Sequence, residues 1–512
     1  MKKYIFLFTI LCTSQFIHSQ NKITPERKLQ KGFGKIDFLS IKMPETTIPN
    51  ELNMGFTGIH YNLMINDWSY AGLGIYGAVT GERGGFFTLG VNAGIKKYFT
   101  DQFYLDTGFH FGGGGGAGAP DGGGAFILPH FNVGYNFNYF SINSGWSYVN
   151  FFDGGEIKGH QLNVGLEIPL DYSYADYQVS GNKYDFEGLQ KSSWNVNSKK
   201  TSLMLHLNNL MIKGGDTNVN VQRFNRATIR LAGFEMASYL TKNWFAFVKV
   251  DGAFDGIKAG YMDVFLGGGY HFPFNKNRTN ILAKFGVGAG GGGGVDTQGG
   301  FLIYPDISIE QQVFDAFFIS LNKGYVMSPN SHFYTSSFGV GLKYYVERNG
   351  IISDENSFSK GIFKSLEVIT KQDLYFNAKR EANTTENLHQ ISVQVNLDLN
   401  KNLYVAGQTS FANFGDAGAY AEGVVGFGAK TNPFFNDKTT FFTQILGGAA
   451  GGGGISTGQG LIVKPSAGFS YQLNNTLNIR TAAGYVKAKE GNLSSPFINL
   501  GITYHLSFLK MN

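Results

Sequence analysis

Three glycine-rich stretches decide the reading of this chain: FGGGGGAGAPDGGGAFILP at 111–129, GVGAGGGGGVDTQGGFLIYP at 286–305 and GGAAGGGGISTGQGLIVKP at 447–465. Each closes on an apolar triplet, or nearly one, followed by a proline, and Pro129, Pro305 and Pro465 stand 176 and 160 residues apart. The same offsets recur at Phe109, Phe285 and Ile445 and at Gly165, Gly341 and Gly501, while Trp68 and Trp244 are again 176 apart. Biased composition alone does not hold register over such distances, so the chain is a threefold internal repeat.

Around these tracts the residues alternate. In QLNVGLEI, Leu162, Val164, Leu166 and Ile168 share one face, and Gln161, Asn163, Gly165 and Glu167 share the other. Phe338, Val340, Leu342 and Tyr344 repeat the pattern against Gly339, Gly341 and Lys343, as do Leu500, Ile502, Tyr504 and Leu506 against Asn499, Gly501, Thr503 and His505. A period of two marks a strand with one apolar and one polar face. Each unit reads as eight such strands, in repeats at 33–176, 200–347 and 362–510. Tight Asn- and Lys-rich turns, such as INDW at 65–68 and LNKNL at 399–403, alternate with the glycine tips and with longer loops such as ETTIPNELN at 44–52.

Composition narrows the class. Of 512 residues 15% are aromatic and only 15% charged, the reverse of a disordered chain. The 71 glycines cluster instead of recurring every third residue, which excludes collagen. A net charge of +5 is too dilute for a nucleic-acid footprint, so no nucleic-acid partner is expected. Lys2 and Lys3 before the apolar run Tyr4 to Cys12, then the small residue Ser19, predict a signal peptide at 1–19. Its removal takes the charge to +3 and leaves no cysteine, excluding thiolate metal sites and cysteine nucleophiles. No run of 18 apolar residues follows, so the membrane route left to an exported chain is a closed β-barrel.

With alternating strands, short turns at one end and long loops at the other, residues 33–508 resemble a bacterial outer-membrane β-barrel protein. The resemblance implies an all-β transmembrane antiparallel barrel, a lipid bilayer as partner, and glycine tips facing away from the cell. Such barrels often end on an aromatic residue, whereas this chain continues past Phe508 to Asn512. Two architectures fit: one 24-stranded barrel, roughly 48 Å across, or three tandem eight-stranded barrels. The long polar connectors at 175–200 and 347–361 favour three. Inward faces rich in Gly, Ser, Asn and Thr favour one, because residues so small would leave a narrow barrel partly hollow. The single barrel is the preferred expectation.

The glycine tracts lack the lysine and following helix of a phosphate loop and read as hairpin tips. Gly114, Gly115, Gly116, Gly290, Gly292, Gly294, Gly451 and Gly453 are expected to bend hairpins over the outer mouth, or to make a smooth seat for a partner. His130, Asp306 and Ser466 follow the prolines on the inward face; in a wide barrel they stand about 40 Å apart, too far for a catalytic triad. With Asp106, Lys284 and Gln444 they are expected as lumen-facing polar residues that tune a pore. Histidines are scattered without metal-binding spacing, so neither metal nor other cofactor is expected. The first functional expectation is a non-enzymatic passive pore or surface scaffold, in which no separate plug or periplasmic module is expected. The second is a partner-binding component of a secretion or surface-assembly system. A lipid-modifying enzyme ranks third, with His160 and Glu156 as its candidates.

Overall fold

The computed structural model describes residues 24–45, 48–213, 227–329, 331, 333–353 and 357–512. The expected signal peptide lies outside them. The chain folds as three successive eight-stranded antiparallel barrels, each closed on itself. In the first, Gly32–Ile41 pairs with Lys158–Pro169, placing Ile36 opposite Leu166. In the second, Lys199–Ile212 closes on Tyr334–Arg348. In the third, Lys360–Lys379 closes on Ser494–Met511. The preferred single 24-stranded barrel is therefore corrected to the three-barrel alternative. Repeat ends meet their own beginnings.

The reason is visible inside the barrels. Many inward glycines face a large side chain reaching across from a neighbouring strand. A methyl group on Gly134 would lie 2.1 Å from the Tyr104 ring, and one on Gly428 equally close to Tyr404. On Gly74 it would meet the His60 imidazole at 1.9 Å. Large and small residues interdigitate, so faces that read as hollow are full.

The resulting distribution is inside out. Lys35, Asp37, Asp106, Lys249, Asp251 and Asp373 are buried, while Leu162 is 76% and Leu500 61% exposed. Apolar residues also close the tip end of each interior: Phe56, Phe86, Phe126 and Phe151 in the first barrel, Phe265, Leu302 and Phe333 in the second, Tyr420, Ile455 and Leu493 in the third. At the opposite, short-turn end the described parts of the connectors pack against the barrels. Lys28–Gln30 pairs with Tyr172–Tyr174, and Lys183–Asp185 adds to the first strand of the third barrel. A five-residue helix, Phe186–Gln190, starts at Asp185, whose side chain accepts the Gly188 N–H. Trp194 is buried with Leu189, Phe363 and Leu509, and donates its indole N–H to the Pro25 carbonyl at 2.7 Å.

Candidate functional site

Two places concentrate unusual chemistry: the joints between barrels at the tip end, and the polar interiors. The joints repeat cyclically. The third strand of each barrel (Ser69–Thr80, Trp244–Asp255, Leu403–Phe414) lies against the fifth strand of the next (Thr279–Gly291, Thr439–Gly451, Phe103–Gly115). Such a head-to-tail interface closes into a ring after three copies, here within one chain.

The sequence makes this possible by removing side chains. A methyl group on Gly77 would sit 2.8 Å from the Ala289 Cβ, and one on Gly252 3.1 Å from that of Ala449. On Gly113 it would lie 2.3 Å from the Ala412 carbonyl oxygen. Gly113, Ala289 and Ala449 keep the 176 and 160 offsets. Small residues here let two backbones approach as they do between membrane helices.

Above these strands, each glycine hairpin inserts beside the loop joining the third and fourth strands of a neighbour. Gly84 donates its N–H to the Gln298 carbonyl at 2.6 Å, and Gly418 donates to Gly122 at 3.2 Å. Gly256 donates to the Gln459 side-chain oxygen at 3.0 Å. A methyl group on Gly85, whose φ is +93°, would lie 2.4 Å from the Gly292 nitrogen. All three tips share one turn: Ala119, Val295 and Ile455 donate to Gly116, Gly292 and Gly452 at 3.0, 3.0 and 3.1 Å. The carboxyl of Asp121 is buried in the first tip and accepts the Gly116 N–H at 2.7 Å. Burial raises its pKa to about 7, against the lowering influence of that N–H and of Arg83.

Among the eight glycines singled out from sequence, Gly451 touches a neighbouring barrel, where an added methyl would lie 2.6 Å from the Gly260 nitrogen. Gly292 lies against Gly85 of the first barrel as well as Gly260 of its own, whereas Gly114, Gly115, Gly116, Gly290 and Gly453 approach backbone or side chains of their own barrel, such as Gly85, Asp121 and Ala417. Gly294 has φ +82° within its tip. Sequence reasoning missed the receiving loops, GERGG at 81–85, GIKAG at 256–260 and GDAG at 415–418. They carry the same repeat offsets approximately, and that was the available signal.

The six inward candidates fall into one group per barrel. Asp106 accepts the Tyr70 hydroxyl at 2.8 Å and lies 3.3 Å from His130 Nε2 and 3.7 Å from Lys35 Nζ. Lys284 Nζ sits between Glu235 at 2.8 Å and Asp306 at 3.3 Å. Gln444 stands opposite Ser466 in the ladder and accepts the Tyr404 hydroxyl at 3.1 Å and the Arg480 guanidinium at 3.2 Å. His130, Asp306 and Ser466 stay in separate barrels, and nothing brings them together.

Partners that sequence reading did not single out complete these networks. Glu167 receives Lys96, the Tyr104 hydroxyl at 3.0 Å and the Asn143 amide at 2.8 Å. Lys343 meets Glu310 at 2.7 Å, and Lys464 joins Glu422 at 2.7 Å to Asp373 at 3.1 Å. Their signal was a Lys or an acid at an inward position of an alternating strand. Buried charges of opposite sign, held within hydrogen-bond reach, are a filled interior whose chemistry is mutual neutralisation.

The enzyme candidates stand elsewhere. His160 is exposed on the outward face, its ring stacked beside Trp146 and accepting the indole N–H at 3.1 Å, while Glu156 lies exposed in the preceding loop. Among the described residues no group of three or more His, Cys, Asp or Glu could hold a metal, and no helix is long and apolar enough to cross a membrane.

Neither a protein-family model nor a curated protein sequence matches the chain. Among solved structures it is similar to OpdQ of Pseudomonas aeruginosa (8% identity, 94% of this chain and 98% of that one, TM-score 0.22). It is also similar to the siderophore receptor PirA of Acinetobacter baumannii (7% identity, 94% and 81%, TM-score 0.28). A third is the outer membrane protein Ail of Yersinia pestis (10% identity, 28% and 98%, TM-score 0.20).

Proposed function

We propose that this chain is an exported outer-membrane protein whose three barrels act together as one rigid surface scaffold, with the glycine tips facing away from the cell. One observation carries the reading: apolar side chains cover the outsides of the barrels, exposed, while charges are buried and paired within. Leu162 at 76% exposed and Asp106 at 1% lie on strands of the same barrel. A soluble protein places these groups the other way round, and hydrocarbon is the solvent that stabilises this arrangement.

The scaffold form is favoured over the passive pore by the filling of the interiors. An eight-stranded barrel is just wide enough for its own side chains. Here the ion pairs of Lys35, Lys284 and Lys464 cross that space, and an aromatic and aliphatic plug lies above them. The polarity of the interiors supports the pore reading; their packing opposes it. Planar-bilayer recording of the processed chain distinguishes the two. The scaffold reading expects a folded, detergent-requiring protein without steady conductance. Stable single-channel steps at neutral pH would return the function to a pore.

Uniting three barrels in one chain fixes three loop clusters side by side, a platform on which surface or secretion-system partners could assemble. That partner reading rests on the same geometry and is tested by co-purification from membranes.

A further inference from the structure

The ring of barrels encloses an axis, and its two ends differ. The fourth strands (Phe87–Tyr98, Met262–Phe274, Ala421–Lys430) lie between the third and fifth strands that make the joints, and so face that axis. Near the tips, Phe87, Leu89, Val264, Ala289 and Phe411, drawn from all three barrels, form one buried apolar cluster. Following the same faces toward the short-turn end, burial is lost. Val91, Ala93 and Leu266 are half-buried, while Gly268, Ile95, Val425 and Phe427 are exposed, Phe427 to 65%.

The flanking fifth strands follow the same course. Below the tight contacts at Gly113, Ala289 and Ala449, the equivalent residues Phe109, Phe285 and Ile445 are exposed. The barrels touch at the tips and part below. They leave an apolar cleft with three walls, sealed at the tip end and open at the short-turn end.

The open end carries charge of one predominant sign. Lys97, on an axial strand, and Lys276, Arg278 and Lys438, in the turns that follow the axial strands, are exposed there beside two acids, Asp101 and Asp437. Apolar walls below a sealed roof, with cations at the entrance, match one chemistry: hydrocarbon chains bearing an anionic phosphate head.

We propose that the axial cleft is a binding site for phospholipid from the periplasmic leaflet, with acyl chains against Val91, Leu266, Val425 and Phe427 and the phosphate among the entrance cations. This deepens the scaffold reading and rests on its orientation. The cluster of Phe87, Leu89, Val264 and Phe411 closes the cleft to lipid from the outer leaflet. Bound chains supply, in the lower half of the ring, the van der Waals packing that the parted barrels lack.

The test uses the full processed chain, extracted in mild detergent, washed, and weighed by native mass spectrometry with phosphatidylglycerol supplied as the probe. Wild type is expected to retain phospholipid. The double variant Ala93→Trp and Gly268→Trp fills the cleft and is expected to weaken retention about tenfold. The charge variant Lys97→Glu and Arg278→Glu, confined to exposed positions, is expected to weaken phosphatidylglycerol more than a zwitterionic phospholipid. Leu162→Trp and Leu500→Trp, on outward faces away from the axis, are expected to change nothing. A folded, detergent-requiring protein that retains no lipid, or retains it equally in wild type and both axial variants, overturns the inference and leaves the membrane reading intact. A protein that stays folded and monomeric in buffer alone overturns the membrane reading itself.

Discussion

The two ends of the barrel ring are built on opposite principles. At the tips the barrels are joined by backbone: glycines are so close that Gly84 donates to Gln298 of the next barrel at 2.6 Å, and a single methyl group has no room. At the short-turn end they are tied by connectors, with side chains packed around Trp194 and exposed cations nearby. Direct backbone contact is specific and intolerant of added volume. Tethered contact accepts change, because the connecting chain holds the parts near one another whatever the surface does. The tip end thus defines the assembly, and the short-turn end keeps its three members in order.

The strongest way to break this contrast is to put volume into a joint. Gly85→Val imposes both a disfavoured φ and overlap with the Gly292 backbone. It is expected to cost about 5 kcal/mol, combining left-handed strain with overpacking. Urea titration in lipid vesicles is expected to show early loss of the tip region, and wild-type stability would mean that the tips do not bear on one another. A smaller effect comes from midway between the ends. Lys284→Met strands Glu235 and Asp306 and is expected to destabilise by about 4 kcal/mol, whereas the same change with Glu235→Gln and Asp306→Asn recovers most of the loss.

A third variant sharpens the picture at the tip alone. The folded pKa of Asp121, about 7, lies above its ordinary value of 3.8. The native tip therefore holds a proton that the opened one releases, and this contribution is full below pH 3.8 and lost as pH rises toward 7. Protection from hydrogen exchange at 116–124, corrected for the intrinsic pH dependence of amide exchange, is expected to fall across that window in wild type and to be flat in Asp121→Asn. The smallest effect is reserved for the short-turn end. Lys28 meets Asp176 at 2.7 Å with both side chains exposed, so Lys28→Ala is expected to cost less than about 1 kcal/mol in the same urea assay.

Much of the architecture is legible in the sequence because it is local. Alternation at 161–168 shows which residues face in, and the repeat offsets show that three units share one plan. Closure is not local. A strand such as Lys158–Pro169 shows the same alternation whether its second neighbour is Gly32–Ile41 or Lys199–Ile212. The size argument that pointed to one wide barrel went astray over particular residues. It counted inward glycines such as Gly134 and Gly74 as empty, when Tyr104 and His60 occupy that space from adjacent strands.

The inward candidates Asp106, Lys284 and Asp306 were readable from alternation, but their partners were not, because Lys35 and Glu235 lie more than forty residues away along the chain. The glycine tracts announced themselves. The loops that receive them, short and mixed in composition, became visible only when three barrels were placed side by side.

Pairing at the seam of the first barrel tests the account most directly. With the single native cysteine, Cys12, inside the expected signal peptide, two engineered cysteine pairs compare the alternatives. Ile36 and Leu166 are ladder partners, and Leu205 occupies the matching position at the start of the second barrel, opposite Leu342. Antiparallel partners lie about 5 Å apart between Cα atoms, within disulfide reach. Oxidation in native membranes is expected to crosslink Ile36→Cys with Leu166→Cys and to leave Leu166→Cys with Leu205→Cys unreacted. Crosslinking of the second pair and not the first would mean that the strands run on into one wide barrel.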